Sequence, residues 1–132
     1  MKHAVVGIIS KTFKGVDKYL LVSSVLDYGE FTGYYYPPGG HLEKGKNLKQ
    51  ALAEKIKKEL FIDVIPIKEI AETPSDVKNQ VIHWWLCKAK IEWLSFDKGR
   101  LSNAKWFSEE EIKSGENIWP ASKKFFQECI FR

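Results

Sequence analysis

Residues 39–62 read Gly39-Gly40-His41-Leu42-Glu43-Lys44-Gly45-Lys46-Asn47-Leu48-Lys49-Gln50-Ala51-Leu52-Ala53-Glu54-Lys55-Ile56-Lys57-Lys58-Glu59-Leu60-Phe61-Ile62. The glycine-rich start permits tight turning. From Asn47 the spacing becomes helical: Leu48, Leu52, Ile56 and Leu60 recur every four residues with Ala51 beside them, and Asn47 is a suitable cap. A helix from Asn47 to about Leu60 is expected. At about 100° per residue, Lys55 and Glu59 fall inside the apolar stripe and should point inward. A charged pair on the buried side of a helix either faces a cleft or forms a desolvated ion pair, and a spacing of four lets the ammonium reach the carboxylate.

On the N-terminal side, residues 3–10 and 18–25 are rich in β-branched and aliphatic side chains and read as strands joined by a hairpin turn at Lys14-Gly15-Val16-Asp17. Tyr34-Tyr35-Tyr36 favours a short strand that Pro37-Pro38-Gly39-Gly40 should end. On the C-terminal side, residues 65–72 and 79–93 read as strands, the second long and alternating, with one end apolar on both faces. Lys105-Trp106-Phe107 is a last short strand, Ser108-Glu109-Glu110-Glu111 resembles a capping box, and Pro120 through Phe131 suggests a closing helix. The class is α/β or α+β with a mixed sheet, in a single domain over residues 1–132.

The 132 residues, 44% hydrophobic and 29% charged, exclude a disordered, collagen-like or disulfide-scaffold chain. The net charge of +4 is a mild bias toward anionic partners. Cys87 and Cys129 lie far apart with no Cys/His cluster around either, so neither a disulfide framework nor a zinc site is expected from them. The apolar run from Ala4 to Ile9 is too short for a signal-peptide core or a membrane span, and no later stretch is long enough. A cytoplasmic protein is expected.

The stretch from Gly40 to Ile62 resembles the box of the Nudix (MutT-like) superfamily: a glycine, five residues, a glutamate, seven residues, then Arg-Glu-aliphatic-any-Glu-Glu-any-Gly-aliphatic. Gly40, Ile56, Glu59 and Ile62 match; Lys46, Glu54, Lys55, Lys58 and Phe61 depart from it. Ala104-Lys105-Trp106-Phe107 and the acidic segment after it are similar to the family's Trp-Phe strand and following helix. The resemblance implies a Nudix-like α/β/α sandwich with a mixed β-sheet. It also implies glutamates on a loop–helix–loop that bind Mg²⁺ or Mn²⁺ against a nucleoside diphosphate linked to another group. Here the box is degenerate: Lys55 and Lys58 replace two of three metal-binding acids and leave Glu59, taking the formal charge of those positions from −3 to +1. A lysine offers no lone pair to a metal at neutral pH. No tightly bound cofactor is therefore expected, with Mg²⁺ or Mn²⁺ required only if a divergent enzyme survives. The segment Gly99-Arg100-Leu101-Ser102-Asn103, where family members often carry a further acid, offers none.

Lys55 has two readings: an internal cation where a metal would sit, or a stem over apolar surface with its head in water. Lys58 and Glu54 read as an exposed pair at spacing four, and Lys46 with Glu54 as a reversed version of the family's Glu and Arg positions. Residues 43–59 hold six lysines and three glutamates, which concentrates the positive charge beside the candidate site. The amides of Gly39 and Gly40 and of the helix start near Asn47 are candidate phosphate contacts. His41 is a weaker ligand candidate without a visible partner, and His83 is expected to pack within its strand. Tyr36, with Tyr34, Tyr35, Trp84 and Trp85, offers either a stacking surface or core. Glu109 to Glu111 are read as a helix start rather than a metal site.

The first functional reading is a protein with an impaired metal site that binds a nucleotide-like or other phosphorylated small molecule through Gly39, Gly40, His41, Lys55, Lys58 and Tyr36. The second is a divergent pyrophosphohydrolase with Glu59 and Glu43 as catalytic residues and Glu59 as a weak metal ligand. The third, a nucleic-acid module, lacks a recognised motif. No membrane partner is expected, and a homodimer is an open possibility implied by the family.

Overall fold

The computed structural model describes residues 1–132. Eight strands are formed: β1 (Lys2–Ile8), β2 (Ser10–Phe13), β3 (Val16–Ser24), β4 (Tyr35–Tyr36), β5 (Gly39–His41), β6 (Ile65–Pro74), β7 (Gln80–Lys88) and β8 (Leu101–Ser108). Helices are α1 (Leu48–Leu60), α2 (Glu109–Ser114) and α3 (Pro120–Phe125), the last continued by a π-helical turn over Phe126–Ile130. One sheet runs β5-β1-β7-β6, parallel only between β1 and β7; in the other, β3 pairs with β8 along one edge and with β2 and β4 along the other. The fold is thus mixed α/β, as the sequence reading had it.

Side-chain alternation sorts the core into two layers. Val5, Trp85, Leu20 and Val22 join Leu52, Ile56 and Leu60 of α1 in one buried cluster. Their neighbours Val6, Trp84 and Leu21 join Ile112 of α2 and Phe125 of α3 in the other. The helices therefore cover opposite sides of the strands. No helix is long and apolar enough to cross a membrane.

Several boundaries move from those expected. The first hairpin turns on Lys14 (φ 49°) and Gly15 (φ 83°) alone, because Phe13 already pairs with Val16; left-handed backbone at both central residues matches the twist of the flanking strands. Residues 39–41 are not merely a chain break: Gly39, Gly40 and His41 form β5 against Val6, Val5 and Ala4. Gly39 (φ 154°) is required there, since a Cβ would lie 2.0 Å from the Val5 carbonyl oxygen. β7 stops at Lys88 rather than reaching residue 93, because Lys88 pairs with Ile65, the first residue of β6, and the β1 ladder has ended at Leu86. The closing helix breaks its α pattern at Phe126.

α1 begins as expected. The Asn47 side chain accepts hydrogen bonds from the amides of Lys49 and Gln50, and Lys57 and Lys58 lie favourably in the last turn. It ends on Phe61 in left-handed conformation (φ 58°, ψ 30°), at the position where the Nudix pattern has glycine.

Candidate functional site

β5, the loop after it and α1 together build two adjoining concavities. A shallow pit is lined by His41, Glu43, Lys46, Ala51, Glu54, Lys55 and Lys58. Beside it opens a cleft of about 560 Å³, within the usual range for a small-molecule site, whose walls include Tyr28, Tyr36, Gly39, Gly40, Glu59, Arg100 and Trp119. His41 and Lys55 line both.

The amphipathic pattern of α1 turns Lys55 and Glu59 toward the sheet, and both are only partly exposed. They do not form the ion pair that their spacing allowed. Lys55 instead lies across Gly40: a Cβ at residue 40 would meet its Cδ at 2.9 Å, Cε at 3.3 Å and Nζ at 3.5 Å. The missing side chain of Gly40 gives the lysine stem its berth, and the ammonium makes no ion pair or hydrogen bond with the protein.

Glu59 stays behind in poor solvent. Its Oε2 is buried without a hydrogen-bond partner. Burial pushes its carboxyl up to about 7, against the opposing pull of Lys55 and Arg100 and with a small push from Asp97. Desolvation outweighs the two cations because neither touches the carboxylate. The spacing of four lets the ammonium reach the carboxylate, yet the contact is not made, and burial raises the proton affinity of Glu59. Beside it, burial and the Glu59 charge raise the Tyr36 phenol well above its ordinary range.

Glu54 does not reach Lys58. It pairs with Lys46 at 3.4 Å, and Lys46 also lies 3.8 Å from Glu43, so the two box positions with exchanged charge do meet. The lysine run is not a single basic face: Lys49 lies over the Trp85 ring, Lys57 pairs with Asp63, and only Lys46, Lys55 and Lys58 line the pit. The start of α1 takes no part, because Asn47 occupies the amides of Lys49 and Gln50 and none of these residues lines either concavity. Likewise the β1 ladder takes up part of the hydrogen-bonding capacity of Gly39 and Gly40. His41 is exposed but not partnerless, since its Nδ1 lies 2.9 Å from the Gln80 side-chain nitrogen.

Of the aromatic candidates, Tyr36 and Trp84 both border the cleft, Trp84 being fully buried and stacked on Phe125 at 4.1 Å, and Trp85 is buried in the α1 layer. Glu111 and Ser108 form the reciprocal capping box. Cys87 and Cys129 are unpaired, and burial pushes the Cys87 thiol up to about 12. The sequence reading missed Arg100 and Asp97. Asp97 accepts from the Gly99 amide and from Arg100 Nε, a short-range pattern Asp-x-Gly-Arg that signals a turn but says nothing of where the turn lands. It lands on α1, where the Asp97 amide donates to the Glu59 carbonyl.

Hard divalent ions need several carboxylate or carbonyl oxygens converging on one point. Glu43 and Glu54 are within ion-pair reach of Lys46, Glu59 lines the cleft rather than the pit, and the Lys55 side chain runs along the wall common to both. One buried carboxyl, with an ammonium on that wall, is a sparse donor set for an Mg²⁺ or Mn²⁺ ion. The pit instead sets three ammoniums against two carboxylates, an arrangement that suits an anion.

A family model described as NUDIX domain matches residues 1–129. Comparison with curated proteins gives no match. Among solved structures, a NUDIX hydrolase from Nitrosomonas europaea superposes with a TM-score of 0.75 at 19% identity, covering 93% of this chain and 66% of that one. A MutT protein from Methanosarcina mazei gives 0.74 at 19% identity, covering 96% and 90%. An ADP-ribose pyrophosphatase from Streptococcus suis gives 0.66 at 17% identity, covering 92% and 81%.

Proposed function

The chain belongs to the Nudix family, and we propose that it binds a nucleoside-diphosphate-type or other phosphorylated small molecule without the family's metal, hydrolysing it slowly or not at all. The observation that carries this is the placement of Lys55. Its ammonium has no protein partner, lies over Gly40 and belongs to both the pit and the cleft. A fixed cation at that point supplies the charge that a dication would otherwise bring to a pyrophosphate. Lys46, Lys58 and Arg100 add positive charge around it, while Tyr28, Tyr36 and Trp119 offer aromatic surface to the rest of a nucleotide-like ligand.

The test is thermal stabilisation by ADP or ADP-ribose, with and without EDTA. On this reading the melting temperature rises equally in both conditions, and Lys55→Ala reduces the rise. A shift abolished by EDTA, or one unchanged in the variant, contradicts it.

One observation favours a second reading. Glu59 has a buried, unpartnered oxygen and a proton affinity near neutrality, properties that suit a general base for water attack on a bound phosphoanhydride. A divergent pyrophosphohydrolase of that kind splits a nucleoside diphosphate linked to another group into two phosphomonoesters with Mg²⁺ or Mn²⁺ present, and Glu59→Gln abolishes the cleavage. Glu43 is a poor partner in such a reaction, being 71% exposed and near Lys46. Equal turnover in the Glu59 variant removes that residue from the mechanism.

A further inference from the structure

Three strands bring together side chains that are up to eighty residues apart in sequence. His3 on β1, His83 on β7 and Glu72 on the edge strand β6 place one ligand atom each within 4.8 Å of the others. His3 Nδ1 lies 2.9 Å from His83 Nε2, and Glu72 Oε1 lies 3.5 Å from the same nitrogen. The cleft is lined by Lys2, Ala4 and Val6 of β1 and by Gln80, Ile82 and Trp84 of β7. His3 and His83 alternate with these residues, and they and Glu72 line neither the pit nor the cleft, so this cluster is separate from both.

We propose that His3, His83 and Glu72 form a binding site for a single divalent transition-metal ion of the zinc class. Two imidazoles and one carboxylate are a common donor set for such an ion and a poor one for Mg²⁺. Donors around a tetrahedral zinc lie about 3.3 Å apart, so the present separations need only a small opening. His3, at the second position of its strand and partly exposed, is the ring free to turn.

Glu69 strengthens the case. Its Oε1 lies 2.7 Å from His83 Nδ1, and an ionised carboxylate only accepts, so the ring hydrogen sits on Nδ1. In the neutral ring, Nε2 is then left with its lone pair directed at the cluster, the usual support of a metal-bound histidine by a carboxylate. His83 itself is buried, which fixes the ring. Counting Glu69, two carboxylates balance a dication. The ion would tie β1, β7 and β6 together and keep a fourth position open to solvent beside the exposed Glu72. Sequence alone gave no sign of the site, because its spacing is set by strand neighbours and not by a local motif.

The test uses the full chain without a histidine tag, stripped by chelator and titrated with Co²⁺ as an optical probe. We expect one equivalent of Co²⁺ to give visible ligand-field absorption, Zn²⁺ to displace it, and Zn²⁺ to raise the melting temperature. His3→Gln and Glu72→Gln, both at positions with solvent exposure, should each weaken Zn²⁺ at least about tenfold, and Glu69→Gln by about ten- to a hundredfold. Lys55→Ala and Glu59→Gln should leave Zn²⁺ affinity unchanged, which keeps this site's failure distinct from failure of the cleft reading. No ligand-field band together with no Zn²⁺ shift of the melt overturns the proposal. So does Zn²⁺ affinity unchanged in both His3→Gln and Glu72→Gln.

Discussion

At Glu59, two opposite pulls act on one carboxyl group. Burial disfavours its charge, Lys55 and Arg100 favour it, and burial wins, taking the group from 4.5 to about 7. Because the folded state holds this proton more tightly than the unfolded chain, the resulting stabilisation is present below about pH 4.5 and lost as pH rises through about 7. Glu59→Gln removes that dependence. The stability of the variant relative to the native metal-free protein should therefore increase between those pH values and level off above them, as read by thermal melts across the range. A constant difference would mean that Glu59 ionises as an exposed glutamate does. The inward placement of Lys55 and Glu59 was legible from the 100° wheel. The missing ion pair was not, because the berth over Gly40 depends on β5 passing beneath α1, a contact between elements that helix spacing does not encode.

Among elements, α1 was the most legible and holds the most informative departure. Its apolar repeat and Asn47 cap appear where the spacing put them. Phe61 takes the left-handed conformation at its end although it carries a Cβ, which costs a non-glycine residue roughly 1–2 kcal/mol. The side chain is 55% exposed and returns little by packing. Phe61→Gly should raise stability by about 1 kcal/mol, after allowing for the greater freedom of glycine in the unfolded chain, and chemical denaturation measures it. Destabilisation by the variant would show that the Phe61 ring packs more usefully than its exposure indicates. Strand ends were less legible for a related reason. The apolar alternation of residues 79–93 continues past Lys88, yet a strand needs a neighbour, and the lengths of β1 and β6 decide where β7 stops. Likewise Gly39-Gly40 looks like a terminator in sequence and becomes a strand because its lack of side chains lets it lie against Val5 and Val6.

At the scale of the whole molecule, the Nudix frame carries Lys55 and Lys58 at positions where the resemblance implies glutamates. Two core layers, one under α1 and one under α2 and α3, hold β5 against α1 so that Gly40, Lys55 and Glu59 all line the cleft. The Lys46–Glu54 pair ties the loop after β5 to α1. The sequence carried these substitutions openly; what it lacked was the cleft wall supplied by distant residues such as Arg100 and Trp119. The central claim is that this site receives a phosphorylated ligand with a lysine in place of a metal. Calorimetric titration of Mg²⁺ and Mn²⁺ at millimolar concentration, with and without a non-hydrolysable nucleoside diphosphate analogue, tests it most directly, with the His3→Gln variant used so that the separate histidine cluster does not contribute heat. The account predicts binding of the analogue alone and no metal binding that depends on Glu59. Metal binding that disappears in Glu59→Gln, with the analogue bound only when metal is present, would contradict it.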